Sequence, residues 1–187
     1  MEANRSRHRW TYAEFARLPS EGSTRYEVID GELAVTPAPT GAHQIVVSNL
    51  VRILASFVHE HGLGLVLPSP IDVLFGEGDY FEPDVVFVRA DHAHLVGDRG
   101  IECPPDLVIE ILSPSTAHRD RGIKLERYRH FGVPEYWIVD LEARAVEVWR
   151  LAQQAPAADV VSEGEALMWT PVAGGPSLEI RVAEILP

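Results

Sequence analysis

Lys124 is the single lysine of this chain; all the other basic side chains, fifteen of sixteen, are arginine. An arginine stays charged at any working pH and presents a wide planar fork, whereas lysine offers a compact ammonium whose pKa can be moved. Two carboxylates stand where they could work with that ammonium. Glu110 interrupts the apolar, β-branched run Asp106-Leu107-Val108-Ile109-Glu110-Ile111-Leu112, closed by Ser113-Pro114, which has the pattern of a buried central strand. Asp84 follows Pro83 at the head of a second such run, Val85-Val86-Phe87-Val88. Carboxylate oxygens suit a hard divalent cation. Such a cation polarises a phosphate and generates hydroxide from water. A nearby ammonium stabilises the developing negative charge or helps orient and deprotonate the attacking water. The set therefore suits metal-assisted phosphodiester hydrolysis. Ile111, next to Glu110 on the strand, offers its backbone carbonyl as a further oxygen ligand, and Glu27 is a candidate outer carboxylate. The competing assignment is a purely structural Glu110–Lys124 ion pair, although such pairs are weak evidence for stability.

Lys124 must be delivered by the segment after the Glu110 strand. Ser115 or Thr116 is a suitable N-cap and Gly132 a suitable stop, so the spacing predicts a helix over residues 117–130, about four turns. Lys124, Tyr128 and Phe131 fall at i, i+4 and i+7 on the face expected to pack inward. A lysine there needs a carboxylate partner, because an unpaired buried charge is costly. Tyr128 reads as a core aromatic with its hydroxyl near the site. Upstream, Thr11 caps a short helix over 12–18 that Pro19 closes. Asp30-Gly31 between two strand-like runs predicts a hairpin over 26–35 with a type I′ turn. Residues 40–61 read as a long amphipathic helix with Ile45, Leu50, Ile53, Leu54 and Phe57 inward. Further strands are expected at 64–67, 71–75, 135–139 and 145–150. Residues 90–100 read as a mobile loop, and 152–158 as a hairpin loop. The tail, 151–187, reads as weak strands and a short helix. The whole is expected to be one α/β domain, a mixed sheet with helices on its faces.

Bulk properties narrow the setting. A length of 187 residues, 46% hydrophobic and 24% charged, suits one globular domain with a real core. No uninterrupted apolar run approaches the ~18 residues that span a bilayer. The polar, basic first ten residues lack the apolar stretch of a secretory signal. One cysteine, Cys103, excludes an internal disulfide and, without a CxxC partner, argues against a thiolate zinc site, and a cytoplasmic protein is expected. His59-x-His61 and His92-x-His94 are read as solvated or loop histidines, since neither has further zinc ligands at the usual spacing. Tyr136, Trp137 and Trp149 read as packing residues rather than a base-stacking platform. The net charge of −12 counts against a broad nucleic-acid surface. The charge is uneven, however. Residues 119–129 carry five cations and two acids, a balance of +3, while 77–84 carry four acids and no cation. A basic helix beside an acidic corner suits a metal site that meets a phosphate, and equally a plain ion-pair network.

Pro83-Asp84 followed by Glu110-Ile111-Leu112 resembles the PD-(D/E)xK nuclease signature, with Leu112 standing where the motif lysine belongs. Tyr26–Leu33, Pro105–Thr116, Lys124-Leu125-Glu126-Arg127-Tyr128 and Gly132–Asp140 resemble the Uma2 family of restriction-endonuclease-like proteins, in which the lysine has moved to the following helix, as Lys124 has. The resemblance covers about residues 10–150. It implies a restriction-endonuclease-like core, a Mg²⁺ or Mn²⁺ site held by Asp84 and Glu110, Lys124 as the catalytic cation, DNA as substrate, and a homodimer. Glu27 and His43 also match recurrent family positions. Two other functions stay open: a non-catalytic interaction or DNA-associated module, and a metal phosphoesterase acting on RNA or nucleotides.

Overall fold

A computed structural model describes residues 8–19, 24–76 and 78–187. Thr11 and Glu14 form a reciprocal capping box that starts α1 (Tyr12–Phe15). Asp30 and Gly31 both take positive φ, 49° and 81°, as a type I′ turn requires. They join β1 (Arg25–Ile29) to β2 (Glu32–Thr36). The Thr40 hydroxyl accepts from the His43 amide and opens α2 (Gly41–Glu60). Next come β3 (Gly64–Pro68), β4 (Val73–Gly76), β5 (Asp79–Phe81), β6 (Val85–Arg89), β7 (Val96–Gly97), β8 (Gly100–Ile101) and β9 (Leu107–Ile111). The helical segment after β9 is α3 (Ala117–Arg119), a π-type stretch over Asp120–Lys124, and α4 (Leu125–His130). Strands β10 (Glu135–Asp140), β11 (Ala145–Arg150), β12 (Asp159–Ser162), β13 (Ala166–Trp169) and β14 (Leu178–Arg181) follow, then α5 (Val182–Ile185).

The α/β class holds, but in place of one central mixed sheet there are two six-stranded sheets, ordered β2-β1-β5-β4-β8-β7 and β12-β11-β10-β9-β6-β3, beside a β13-β14 hairpin. β9 is central in the second sheet, parallel to β10 and antiparallel to β6. All five of its residues are buried, which is why it reads as a continuous apolar run.

Three local expectations change. The helix over 117–130 is not continuous. Gly122 takes a non-helical conformation, φ −109° and ψ −107°, and breaks the ladder. Such π-type stretches are often found at functional sites. Residues 90–100 are not a bare loop: they contain a 3₁₀ turn and the short pair β7–β8. On α2 the inward face is His43, Val46, Val47, Leu50, Leu54, Phe57 and Val58, while Ile45 is 49% exposed. By length and mean hydropathy α2 is apolar enough to cross a membrane, although polar residues interrupt it. Here its inward face instead packs into the main hydrophobic cluster.

That cluster also takes Leu167, Trp169, Ile180, Val182, Ile185 and Leu186 from the tail. Trp169 is 1% exposed and meets Phe87 at 5.1 Å and Trp137 at 6.1 Å between ring centroids. Trp169→Ala is therefore expected to cost about 3–5 kcal/mol of unfolding free energy in equilibrium denaturation. A loss below about 1 kcal/mol would mean that the tail is an appendage rather than core.

Candidate active site

Four elements converge at the junction of the two sheets. Val85 of β6 pairs with Ile109 of β9, and continuing that antiparallel register sets Asp84 opposite Glu110. Glu27 comes from β1 of the other sheet, and Lys124 from the kinked segment after β9. The Lys124 ammonium lies 2.7 Å from Glu27 Oε1, 2.8 Å from Glu110 Oε1 and 3.8 Å from Asp120 Oδ1. The Tyr128 hydroxyl donates to the same Glu110 Oε1 at 2.8 Å. Both donors thus use one oxygen, leaving Glu110 Oε2 without a hydrogen bond among the described residues. The lysine has its expected carboxylate partner, and two more besides.

Asp84 is held differently. Its Oδ1 accepts from Arg25 Nη1 at 2.6 Å, and its Oδ2 from the Ile111 amide at 2.8 Å and His43 Nε2 at 3.0 Å. Ile111 therefore meets Asp84 through its N–H. Because an ionised carboxylate only accepts, His43 carries its proton on Nε2. The buried Nδ1 has no partner. Arg25 and Asp120 were not singled out from the sequence, though each had a signal: Arg25 shares the Glu27 face of a strand at i, i+2, and Asp120 precedes Lys124 by one helical turn. The acidic corner splits. Glu82 joins the site through Arg25 at 3.1 Å, whereas Asp79 is spent on Arg127 and the Asp30 amide. Glu77 lies outside the described residues.

A cleft of about 480 Å³ opens onto Glu27, Glu82, Asp84, Glu110, Asp120 and Lys124, with the hydroxyls of Thr36, Ser113, Ser115 and Thr116 among its other lining groups. Carboxylates outnumber guanidinium and ammonium groups seven to three along this lining. In charge and donor type these residues fit a hard divalent cation. In placement they fit it incompletely. Among the described residues no three Asp, Glu, His or Cys side chains are arranged to hold a metal ion between them, and both Asp84 oxygens already accept from protein donors. Glu110 Oε2 is available.

Burial and like charge set the protonation states. Burial alone pulls the Lys124 ammonium down, but Glu110, Glu27 and Asp120 more than reverse this and hold it charged well above the ordinary lysine range. Burial pushes Glu110 up to about 8, against the pull of Lys124 and with the help of Asp120 and Asp84. Burial likewise raises Glu82 to about 7, opposed by Arg25, and Asp72 to about 6, reinforced by Glu27. Burial would raise Asp84 too, but His43, Arg25 and the Ile111 amide together hold it low. Asp72, Glu82 and Glu110 therefore bind protons more tightly folded than unfolded, and their stabilising contribution, full below pH ~4, is lost as pH rises to about 8. The lowered Asp84 acts only below this window. In EDTA the melting temperature is expected to fall between pH 5 and 8, with a shallower slope in Glu110→Gln. An unchanged slope in that variant would mean that Glu110 is ionised throughout.

Comparisons with known proteins bear on the family and the fold. The model of the Uma2 family, described as "Putative restriction endonuclease", matches residues 12–183, which extends past the 10–150 span into the tail. A relative from Synechocystis sp., the uncharacterized protein sll1609, is 25% identical over 139 residues, covering 73% of this chain and 78% of its own. A crystal structure of "a putative nuclease belonging to DUF820" from Anabaena variabilis superposes with a TM-score of 0.76 at 22% identity, covering 94% of this chain and 97% of the other. At that identity the likeness establishes the fold.

Proposed function

The chain belongs to the Uma2 family, and from that premise we propose that it is a divalent-metal-dependent endonuclease hydrolysing DNA phosphodiester bonds. The observation that carries this is the buried Lys124 ammonium ringed by Glu27, Glu110 and Asp120 beside Asp84 at the floor of a cleft. Glu110, through Oε2, and Asp84 would hold Mg²⁺ or Mn²⁺, with the Ile111 carbonyl as the further oxygen ligand. The bound cation would supply charge neutralisation and Lewis-acid polarisation of the phosphate. With Glu27, Glu110 and Asp120 around it, the Lys124 ammonium is held charged in the metal-free site, which favours charge stabilisation over deprotonation of water. It stabilises the charge that builds on the phosphoryl oxygens and helps orient the attacking water. Tyr128 and Glu27 fix the Glu110 carboxyl and the ammonium, and His43 fixes Asp84. The hydroxyls at the rim offer neutral hydrogen bonds to the nucleic-acid backbone.

One observation favours a non-catalytic module instead: Asp84 is fully engaged by protein donors. Supercoiled plasmid, single-stranded DNA and RNA incubated with Mg²⁺, Mn²⁺ or EDTA separate the two. Metal-dependent strand scission, absent in EDTA and in Glu110→Gln, is the expected result. No scission on any substrate by folded protein would favour the interaction module.

A further inference from the structure

We infer that Arg25 is a built-in competitor for the metal at Asp84, and that loading the site moves its guanidinium from Asp84 to the carboxyls of the neighbouring cavity. The inference rests on the metal-dependent function proposed above. Arg25 begins β1 and makes three polar contacts: Nη1 to Asp84 Oδ1 at 2.6 Å, Nη2 to Ser69 Oγ at 2.7 Å and Nε to Glu82 Oε1 at 3.1 Å. The Asp84 contact is a short charge-assisted bond to an oxygen that a divalent cation would need. The two cations cannot share it without strong repulsion between neighbouring positive charges in a water-poor site. Arginine does not escape by losing its proton; it must move.

The structure contains a place for it to go. Arg25 and Glu82 line the active-site cleft and also a second cavity of about 580 Å³, bounded by Phe15, Leu18, Tyr26, Pro70 and Asp72. Glu82 already touches the guanidinium, and Asp72 is the other carboxyl of that cavity. A small rotation about the Arg25 side chain gives up Asp84 and keeps Glu82. Asp84 stays oriented meanwhile, because His43 and the Ile111 amide hold its other oxygen. This gives a role to an acidic cavity that the hydrolytic chemistry does not itself require.

Mn²⁺ titrations of wild type, Arg25→Gln and Asp72→Asn, read by calorimetry and by melting temperature without substrate, test the idea. Arg25→Gln is expected to bind Mn²⁺ at least about tenfold more tightly than wild type, since the competing occupied state is removed. Asp72→Asn, which changes a carboxyl of the second cavity that does not line the cleft, is expected to bind it more weakly, because the displaced guanidinium loses an alternative partner. A merely structural Arg25 predicts the opposite sign for the first variant. Should Arg25→Gln fail to fold, weaker Mn²⁺ binding by Asp72→Asn supports the exchange, and unchanged or tighter binding overturns it. Wild-type binding with unchanged or weaker binding in Arg25→Gln overturns the exchange but leaves the nuclease proposal standing. No Mn²⁺ response in wild type or either variant overturns both, whereas a response seen only in Arg25→Gln supports the exchange.

Discussion

Lys124→Met is expected to destabilise the protein by roughly 3–5 kcal/mol at pH 8, the range measured when one partner of a buried ion pair is removed. Lys124 is 4% exposed and is the cation at the centre of Glu27, Glu110 and Asp120. Methionine fills similar space but leaves like charges facing one another without water. The loss should shrink towards pH 5, because the carboxyls can then take up protons instead. Denaturant titrations at both pH values measure it, and the double variant Glu27→Gln/Lys124→Met should recover part of the loss. A cost below about 1 kcal/mol at pH 8 would show that the ammonium is not the cluster's counter-ion. A Lys124 variant is consequently a poor control for chemistry, since lost cleavage would not separate catalysis from folding.

Glu110→Gln separates them. The glutamine carbonyl can still accept from Lys124 and from the Tyr128 hydroxyl, so the packing of β9 and α4 persists. Its melting temperature at pH 8 in EDTA is expected to match or exceed that of wild type, because a buried acid that ionises only near pH 8 is a burden there. Metal-dependent cleavage is expected to fall at least about 100-fold, the upper range for losing even an indirect partner of a metal. Asp84→Asn should lose activity similarly while keeping a contact to the Ile111 amide. Cleavage retained by either variant, with the fold intact, would remove that residue from the metal site.

Much of this arrangement is legible along the chain because its causes are local. Asp30-Gly31 announces its hairpin through a backbone requirement of two adjacent residues. β9 announces itself as a β-branched run between turn residues, and Glu110 within it stands out because a carboxylate in such a run needs a reason. Lys124 stands out because it is the only lysine. The missed features have causes at long range or in competition. Gly122 lies inside a good helical pattern, and tertiary packing decides whether such a glycine is tolerated or used as a kink. Ile45 has the helical spacing of an inward residue but faces out, since the direction of burial on α2 is set by what lies against it. Trp169 and the rest of the tail look weak in sequence because their partners, Phe57, Phe87 and Trp137, are far away along the chain.

The sequence by itself determined the α/β class, the buried strand carrying Glu110 and the pairing of one ammonium with acids, because periodicity, turn geometry and the cost of an unpaired buried charge act on neighbouring residues. Only the tertiary structure decided which acids those are, that His43 and Arg25 own Asp84, and that Asp79 belongs to Arg127 instead. Residues dozens of positions apart meet only after two sheets and a kinked helix have packed. Which charge is paired, protonated or left free for a metal then depends on distances that no one-dimensional spacing contains.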